Sequence, residues 1–552
     1  MRQELAAAVA EIVKKLFNLD VQVDLTRPDE QFGDYASNVA LQISKQLGKN
    51  PREIAEAIVA ELRTHGVLAD VQIAGPGFIN MTLNDAALLE LAQEPLPQGL
   101  KGQVIVAEYS DPNPFKVLHA GHLYTSVVGD AIANLLERAG ASVHRVNFGG
   151  DVGLHVGKTL WAMLKKLGGE DPANLQSIAE DKRAEWMAEC YVDGTNAYED
   201  DEAAKTEIIA LNKQVYQFHA ENDRESSLAQ IYWTTRQWSY DYFDSFYARI
   251  GSKFEKYYPE SQTAPVGLET VKSHIGKVFV ESDGAIVFKG DDHGLHTRVF
   301  INGEGLPTYE AKDIGLIMLK KQDYDFDRSV VITGNEQAQY MAVVLKAVEQ
   351  FAPELSQATT HLTHGMVKLE GGTKMSSRKG NILRAVDVLD AAHEANKEAT
   401  GQENEQAVLA AVKYAFLKQR LGADIIYDPK ESVSILGNSG PYLQYAHARA
   451  RSILAKSEAG RTITETLQAD ERKLLRKIGE FNEAVERATA ELLPSYICTY
   501  LYELSQDFNR FYEHNRVLGD ERETVRLGLV EGYAETLKSG LSLLGIPAPE
   551  RM

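Results

Sequence analysis

The sequence predicts an α/β fold in three parts: a small N-terminal α+β domain over residues 1–100, a parallel-sheet domain over 101–385, and a C-terminal all-α helical bundle over 386–552. Three observations predict it. Helix and strand patterns are mixed up to a break at Glu94-Pro95-Leu96-Pro97-Gln98-Gly99, strand and helix then alternate, and beyond about residue 385 apolar residues recur only at helical spacing. A chain of 552 residues has room for three or four domains with separate cores.

In the first part, Pro51 opens a helix over Arg52 to Leu62, with Ile54, Ala57, Ile58 and Leu62 on one face. Two strand-like runs, Val71 to Ala74 and Phe78 to Leu83, flank the turn Gly75-Pro76-Gly77. In the second, Val104 to Ala107, Leu123 to Ala139 and Ser142 to Asn147 read as strand, helix and strand, a βαβ unit that implies a parallel sheet. Ser329 to Thr333, the helix after it to about Phe351, and His361 to Leu369 repeat the unit. Residues 160–300 between them read as a large insertion, helical and acidic at first, then strand-like around 277–279 and 285–288. In the third, Leu474, Ile478, Phe481 and Val485, and then Tyr496, Tyr500, Leu504, Phe508 and Phe511, keep helical spacing.

The 44% apolar content excludes a disordered chain. Two cysteines, Cys190 and Cys498, exclude a disulfide scaffold and a Cys-rich zinc site. No apolar run approaches the ~20 residues that cross a bilayer, so no membrane partner is expected and the expected location is cytoplasmic. A net charge of -21 taken alone argues against a nucleic-acid partner, which is held by Lys and Arg. The acidity is segmental, however. Residues 101–150 hold 4 cationic and 4 acidic residues and 351–500 hold 19 of each, whereas 151–350 hold 21 against 33.

Asp111-Pro112-Asn113-Pro114-Phe115-Lys116-Val117-Leu118-His119-Ala120-Gly121-His122 lies between the first parallel strand and its helix, where doubly wound sheets bind nucleotides. Gly121 permits close backbone approach, and a helix amino terminus flanked by imidazoles favours a phosphate. An exposed turn carrying two histidines is the alternative. Gly371-Gly372-Thr373-Lys374-Met375-Ser376-Ser377-Arg378-Lys379-Gly380 puts three cations and the hydroxyls of Ser376 and Ser377, with Thr373 beside them, between glycines, which suits a triphosphate; a solvated basic turn is the alternative.

Together, in this order, the segments resemble the two signatures of class I aminoacyl-tRNA synthetases, His-Ile-Gly-His and Lys-Met-Ser-Lys-Ser. The second departs here, with Ser377 for the usual second lysine and Arg378 for the final serine. Arginyl-tRNA synthetases commonly share that departure, with a lysine before the histidine motif, here Lys116, in place of the missing charge. The chain is identified as similar to that family over nearly its whole length: Gln31 to Tyr35, Ile73 to Asn80, Asn147 to Gly153, Gly437 to Tyr445, Phe511 to His514 and the terminal Glu550-Arg551-Met552.

The resemblance implies a Rossmann-like catalytic domain with an appended N-terminal tRNA-contacting domain and a helical anticodon-binding domain. It implies arginine activation with ATP, in company with Mg2+, then transfer to tRNA(Arg) by a monomer. No unambiguous carboxylate cluster for the magnesium is visible in the sequence. His119, His122, Lys116 and Lys374 are the implied catalytic residues, and Gly121, Met375, Ser376 and Ser377 join them around ATP. Glu108, Asn113, Tyr309, Asp313 and Gln337 are implied to line the L-arginine pocket, in keeping with a guanidinium's preference for carboxylates. Asp111 stands where relatives often have serine. For tRNA, Phe32, Tyr35 and Phe78 suit stacking on loop bases or places in the core. Tyr442, Tyr445, Arg449, Arg472 and Arg476 suit the anticodon. The cationic stripe around Arg472 and Arg476 equally suits a solvated face paired with Glu471 and Glu480. A nucleotidyltransferase sharing the histidine motif and a non-catalytic tRNA-binding relative are the other readings. The first is usually shorter, and the second has no need of His119, His122 and Lys374.

Overall fold

A computed structural model describes residues 1–369, 383–464 and 466–552. The N-terminal domain is a four-stranded sheet in the spatial order Leu25–Thr26, Tyr35–Ser37, Phe78–Leu83, Leu68–Ala74, with helices Arg2–Phe17, Val39–Leu47 and Pro51–Leu62. The expected proline-initiated helix forms because Pro51 lacks only an N–H that the first turn would leave unpaired, while the Asn50 side chain accepts the Arg52 N–H at 2.9 Å. Gly75 and Gly77, at φ 53° and 143°, make the turn between the long strands.

The central sheet has five parallel strands, in the order Thr359–His364, Arg328–Gly334, Val104–Glu108, Ser142–Gly149, Lys256–Pro259. Successive strands are added first on one side of Val104–Glu108 and then on the other, so the strand order switches between it and Arg328–Gly334, and ligands bind at the carboxyl ends of strands flanking such a switch point. Helix Ala120–Arg138 is buried around most of its circumference and packs against Ala385–Thr400, Glu405–Leu417, Phe481–Glu491 and Glu523–Leu543 of the helical part.

Three expectations are corrected. The segment 160–300 is not one insertion, because Lys256–Pro259 returns to the main sheet as its edge strand; four residues with no apolar alternation gave no strand signal. The strand expected over His361 to Leu369 is two strands. Gly365 separates them, at a point where a Cβ would lie 2.2 Å from the Ala423 carbonyl oxygen. The second piece, Val367–Leu369, pairs in parallel with Ile425–Tyr427, so a strand does occur beyond residue 385.

The first and last domains meet directly. Asp34, fully buried, accepts from Arg472 at 2.7 Å, from Arg476 at 3.1 Å and from the Leu83 N–H at 2.8 Å. Beside it Arg27 and the Tyr35 hydroxyl both donate to Glu483 at 2.7 Å. Asp34→Asn removes the one fully buried carboxylate that the two arginines share, leaving them Asp85 and Glu480, and is expected to cost about 3 kcal/mol, as broken buried pairs do. Lys473→Ala, which removes a more exposed pair with Glu30, should cost below about 1 kcal/mol. Urea unfolding of both variants measures the difference.

Candidate active site

A cavity of about 700 Å³ opens at the switch point. Glu108 enters it from the end of the central strand, Thr333 and Gly334 from the next, and His364 from the edge strand. The loop from Ser110 to Phe115 forms one wall and carries three non-glycine residues at positive φ: Ser110 at 76°, Asp111 at 50° and Phe115 at 70°. Such strain persists where the surrounding fold over-determines the loop. Here Asp111 Oδ1 accepts the Phe148 N–H at 2.8 Å and Asn113 Oδ1 the Gly150 N–H at 2.6 Å. Gly149 permits the approach, since a Cβ there would lie 2.2 Å from the Pro112 carbonyl oxygen.

The two histidines cap the helix that follows. His119 Nδ1 accepts the Gly121 N–H and His122 Nδ1 accepts the His119 N–H, each at 3.1 Å, and the rings stack 3.7 Å apart. Gly121 is required for this fold-back: a Cβ would sit 2.8 Å from the His119 ring. With Nδ1 accepting in both rings, the proton of each neutral imidazole is on Nε2. Burial pushes the His119 pKa down to about 4, helped by the charges of Lys116 and His364, and that of His122 well below its ordinary value. The pair therefore presents neutral N–H donors rather than positive charge.

The acidic half comes from the central strand and helix Tyr309–Tyr324. Glu108 accepts a hydrogen bond from the buried ammonium of Lys320, which also donates to Ser329 Oγ at 3.0 Å. Asp313 accepts from the Tyr340 hydroxyl. Its pKa is raised to about 7, first by burial and then by the charges of Glu108 and Glu260, against the bond from Tyr340. Glu260 pairs with Lys312 at 2.5 Å, and Glu310 with Arg298 at 3.1 Å.

The structure thus gathers Glu108, Asn113, His119, Gly121, His122, Tyr309, Asp313 and Gln337 around one cavity. Lys116 lies outside the lining, its ammonium 4.8 Å from the centre of the Tyr191 ring. Lys374, Met375, Ser376 and Ser377 lie outside the described residues. Asp111, singled out in the sequence, also lines the cavity, whereas Lys320, Tyr340, Arg298 and Glu260 were not found by sequence reasoning. Lys320 had a signal: it falls seven residues after Asp313, on the same face of an otherwise apolar-lined helix.

Of the residues expected at tRNA, Phe32 and Phe78 are exposed and Tyr445 is 46% exposed. Tyr442 is half-buried and accepts from Asn509 at 2.9 Å, and the Arg449 guanidinium lies 4.5 Å from the Tyr512 ring centre. Tyr35, Arg472 and Arg476 are corrected. Tyr35 is fully buried with its hydroxyl on Glu483, Arg472 reaches Asp34 and Asp85, and Arg476 reaches Asp34 and Glu480, in keeping with the paired reading of the stripe, so all three are engaged at the domain junction.

Comparison with known proteins places this architecture. Residues 85–428 match the family described as tRNA synthetases class I (R), catalytic domain, so the protein is a class I aminoacyl-tRNA synthetase. Residues 1–83 match the arginyl tRNA synthetase N terminal domain, and residues 443–552 the DALR anticodon binding domain. The arginine–tRNA ligases of Phocaeicola vulgatus and Bacteroides fragilis are each 30% identical to this chain, with the whole of both chains covered. The arginyl-tRNA synthetase of Thermus thermophilus superposes with a TM-score of 0.82 at 25% identity over 100% of both chains. That of Plasmodium falciparum, at 20% identity, shares the fold with a TM-score of 0.80 over 100% of this chain and 99% of its own. The chain belongs to the arginyl-tRNA synthetase family.

The histidine cap makes a direct prediction. In 15N spectra, His119 should be a neutral Nε2–H imidazole throughout pH 5.5 to 8 and protonate only near pH 4. A titration midpoint near the ordinary value of about 6.5 would contradict the assigned cap.

Proposed function

We propose that this chain ligates arginine to tRNA(Arg) in two steps at the cavity described above. The arginine carboxylate attacks the ATP α-phosphate and pyrophosphate leaves. The terminal ribose hydroxyl of the tRNA then attacks the arginyl carbonyl and releases AMP. The carboxylate is already a competent nucleophile, so the first step needs no base, and the protein acts by positioning and by stabilising charge. The observation that carries the reading is the juxtaposition of an acid-lined pocket with two neutral imidazole donors at one switch point.

His119 and His122 direct Nε2–H donors at the phosphates, and Lys116 supplies charge from behind them. Lys374 with its neighbours Met375, Ser376 and Ser377 completes the nucleotide contacts in this reading. Asp313 and Glu108 face the guanidinium, with Tyr309, Asn113 and Gln337 around the rest of the amino acid. Among the described residues no three His, Cys, Asp or Glu converge as ligands for a metal. Mg2+, which favours a few carboxylates plus substrate phosphates and water, fits this site as an ion carried by ATP. Phe32, Phe78, Tyr442, Tyr445 and Arg449 remain the proposed tRNA contacts, and the ligase is read as a monomer. Among the described residues no helix is long and apolar enough to cross a membrane, and the proposed location is the cytoplasm.

Pyrophosphate exchange tests the function: exchange is expected with arginine alone among the amino acids, and only with tRNA present. Exchange driven by a different amino acid overturns the reading. Asp313 sets a second expectation. A guanidinium stabilises the ionised carboxylate and lowers its pKa from about 7, so binding near pH 7 releases a proton. Arginine affinity should be full above pH 8 and fall by up to about tenfold per unit below pH 7. Calorimetry in buffers of different ionisation enthalpy measures the released proton.

A further inference from the structure

A second cavity, of about 510 Å³, shares no lining residue with the active site. Asp130 and Asn134 reach it from helix Ala120–Arg138, roughly 15–20 Å along the axis from the histidine cap at about 1.5 Å per residue. Arg145 enters from strand Ser142–Gly149, Arg249 and Lys253 from the end of helix Ser227–Ile250 and the turn after it, and Lys413 from helix Glu405–Leu417. The chain at Gly545 closes one side. The walls thus join the central sheet to the C-terminal bundle.

Four cations line this cavity against one carboxylate, Asp130. Two of the four are answered from outside it. Arg145 pairs with Glu137, and Arg249 with Glu405 at 2.8 Å and Asp390 at 3.7 Å. Both oxygens of Asp130 accept from hydroxyls, Oδ1 from Tyr109 at 2.6 Å and Oδ2 from Ser252. Lys413 and Lys253 form no ion pair with any described residue.

Lys413 is the decisive side chain. It is 5% exposed, and among the described residues its ammonium donates only to the Gly545 carbonyl oxygen, at 2.7 Å. An ammonium has three N–H groups, so two are left for a ligand. A buried charge without a counter-ion is costly, and burial pushes the Lys413 pKa down against the attraction of Asp130. Gly251 and Gly545, at φ 76° and 64°, flank the ammonium, and a Cβ at 545 would crowd it at 3.2 Å from Nζ.

We propose that this cavity binds a small phosphate-class anion, held by the Lys413 ammonium, with Lys253 at the rim and the Arg249 guanidinium beside them. Two uncompensated cations match a dianion. Tetrahedral oxygens accept from several directions at once, whereas a carboxylate brings one charge in one plane. Arg249 spends only Nε in a hydrogen bond, on Glu405, so its remaining N–H groups are donors of the kind that phosphate oxygens take. A phosphate there bridges segments that are far apart in sequence, and its binding stabilises the folded chain as a whole.

Inorganic phosphate and pyrophosphate are the probes, titrated calorimetrically into the full chain at constant ionic strength, with chloride as the control anion. One phosphate should bind saturably per chain, and the melting temperature should rise with phosphate and not with chloride. Lys413→Met keeps the apolar stem and removes the charge, and should weaken phosphate by about 30-fold. Lys253→Glu reverses a charge at an exposed residue with no hydrogen bond among the described residues, so it leaves the fold intact and should weaken phosphate by about tenfold. Pyrophosphate held more tightly than phosphate, and lost in the same variants, supports the site and assigns it to a diphosphate. No saturable binding at millimolar phosphate, or equal binding in wild type and both variants, overturns the proposal. So does binding that is lost in Lys116→Ala and kept in Lys413→Met, which would put the phosphate at the histidine cap.

Discussion

The first turn of helix Ala120–Arg138 has N–H groups that the helix cannot satisfy, and much of the active centre follows from how they are satisfied. Two imidazoles fold back to accept them, which fixes their tautomer and leaves each proton on Nε2, while burial keeps both rings neutral. It also requires glycine at 121. The same helix extends far from the cavity. Asn134, near its other end, donates to the carbonyl oxygens of Ser542 and Leu543 at 3.4 and 3.3 Å, so a single rod joins the histidine cap to the end of the C-terminal bundle.

The charge distribution is decided locally. A protein of net charge -21 with a family commitment to nucleic acid is at first sight a contradiction. In the interior the same excess of acid is productive, because a pocket for a doubly cationic amino acid needs more carboxylates than internal cations. Lys320, Lys312 and Arg298 each meet one of the lining carboxylates, Glu108, Glu260 and Glu310, and so offset only part of that excess. At the domain junction the charges meet across the two domains, Arg472 and Arg476 sharing the buried Asp34 and Arg27 pairing with Glu483.

Features set by local periodicity were legible in the sequence: the strand at 104–108, the motif helix, the proline-initiated helix and the bundle positions Leu474, Ile478, Leu504 and Phe508. So were the pocket residues that sit in recognisable strings, such as His119 and Asn113. Features whose cause lies far along the chain were not legible. Tyr35 is buried because Arg27 and Glu483 meet over it, and Glu483 is 448 residues away. The spacing of Arg472 and Arg476 announced a cationic helix face but could not say that a carboxylate would cover it. The strands at 256–259 and 425–427 are four and three residues long, too short for alternation to register, and exist because a neighbouring strand has an open edge.

The junction at Asp34 has a consequence for how the chain is made. Its partner Arg472 is 438 residues away. At synthesis rates of about 5–20 residues per second, roughly 20–90 seconds separate the emergence of the two from a ribosome. Throughout that interval the N-terminal domain must stand with an incomplete face, Asp34 holding only contacts from its own domain, such as the Leu83 N–H. The docking of residues 469–479 onto it is therefore among the last events of folding, and it joins the earliest-made part of the molecule to one of the latest.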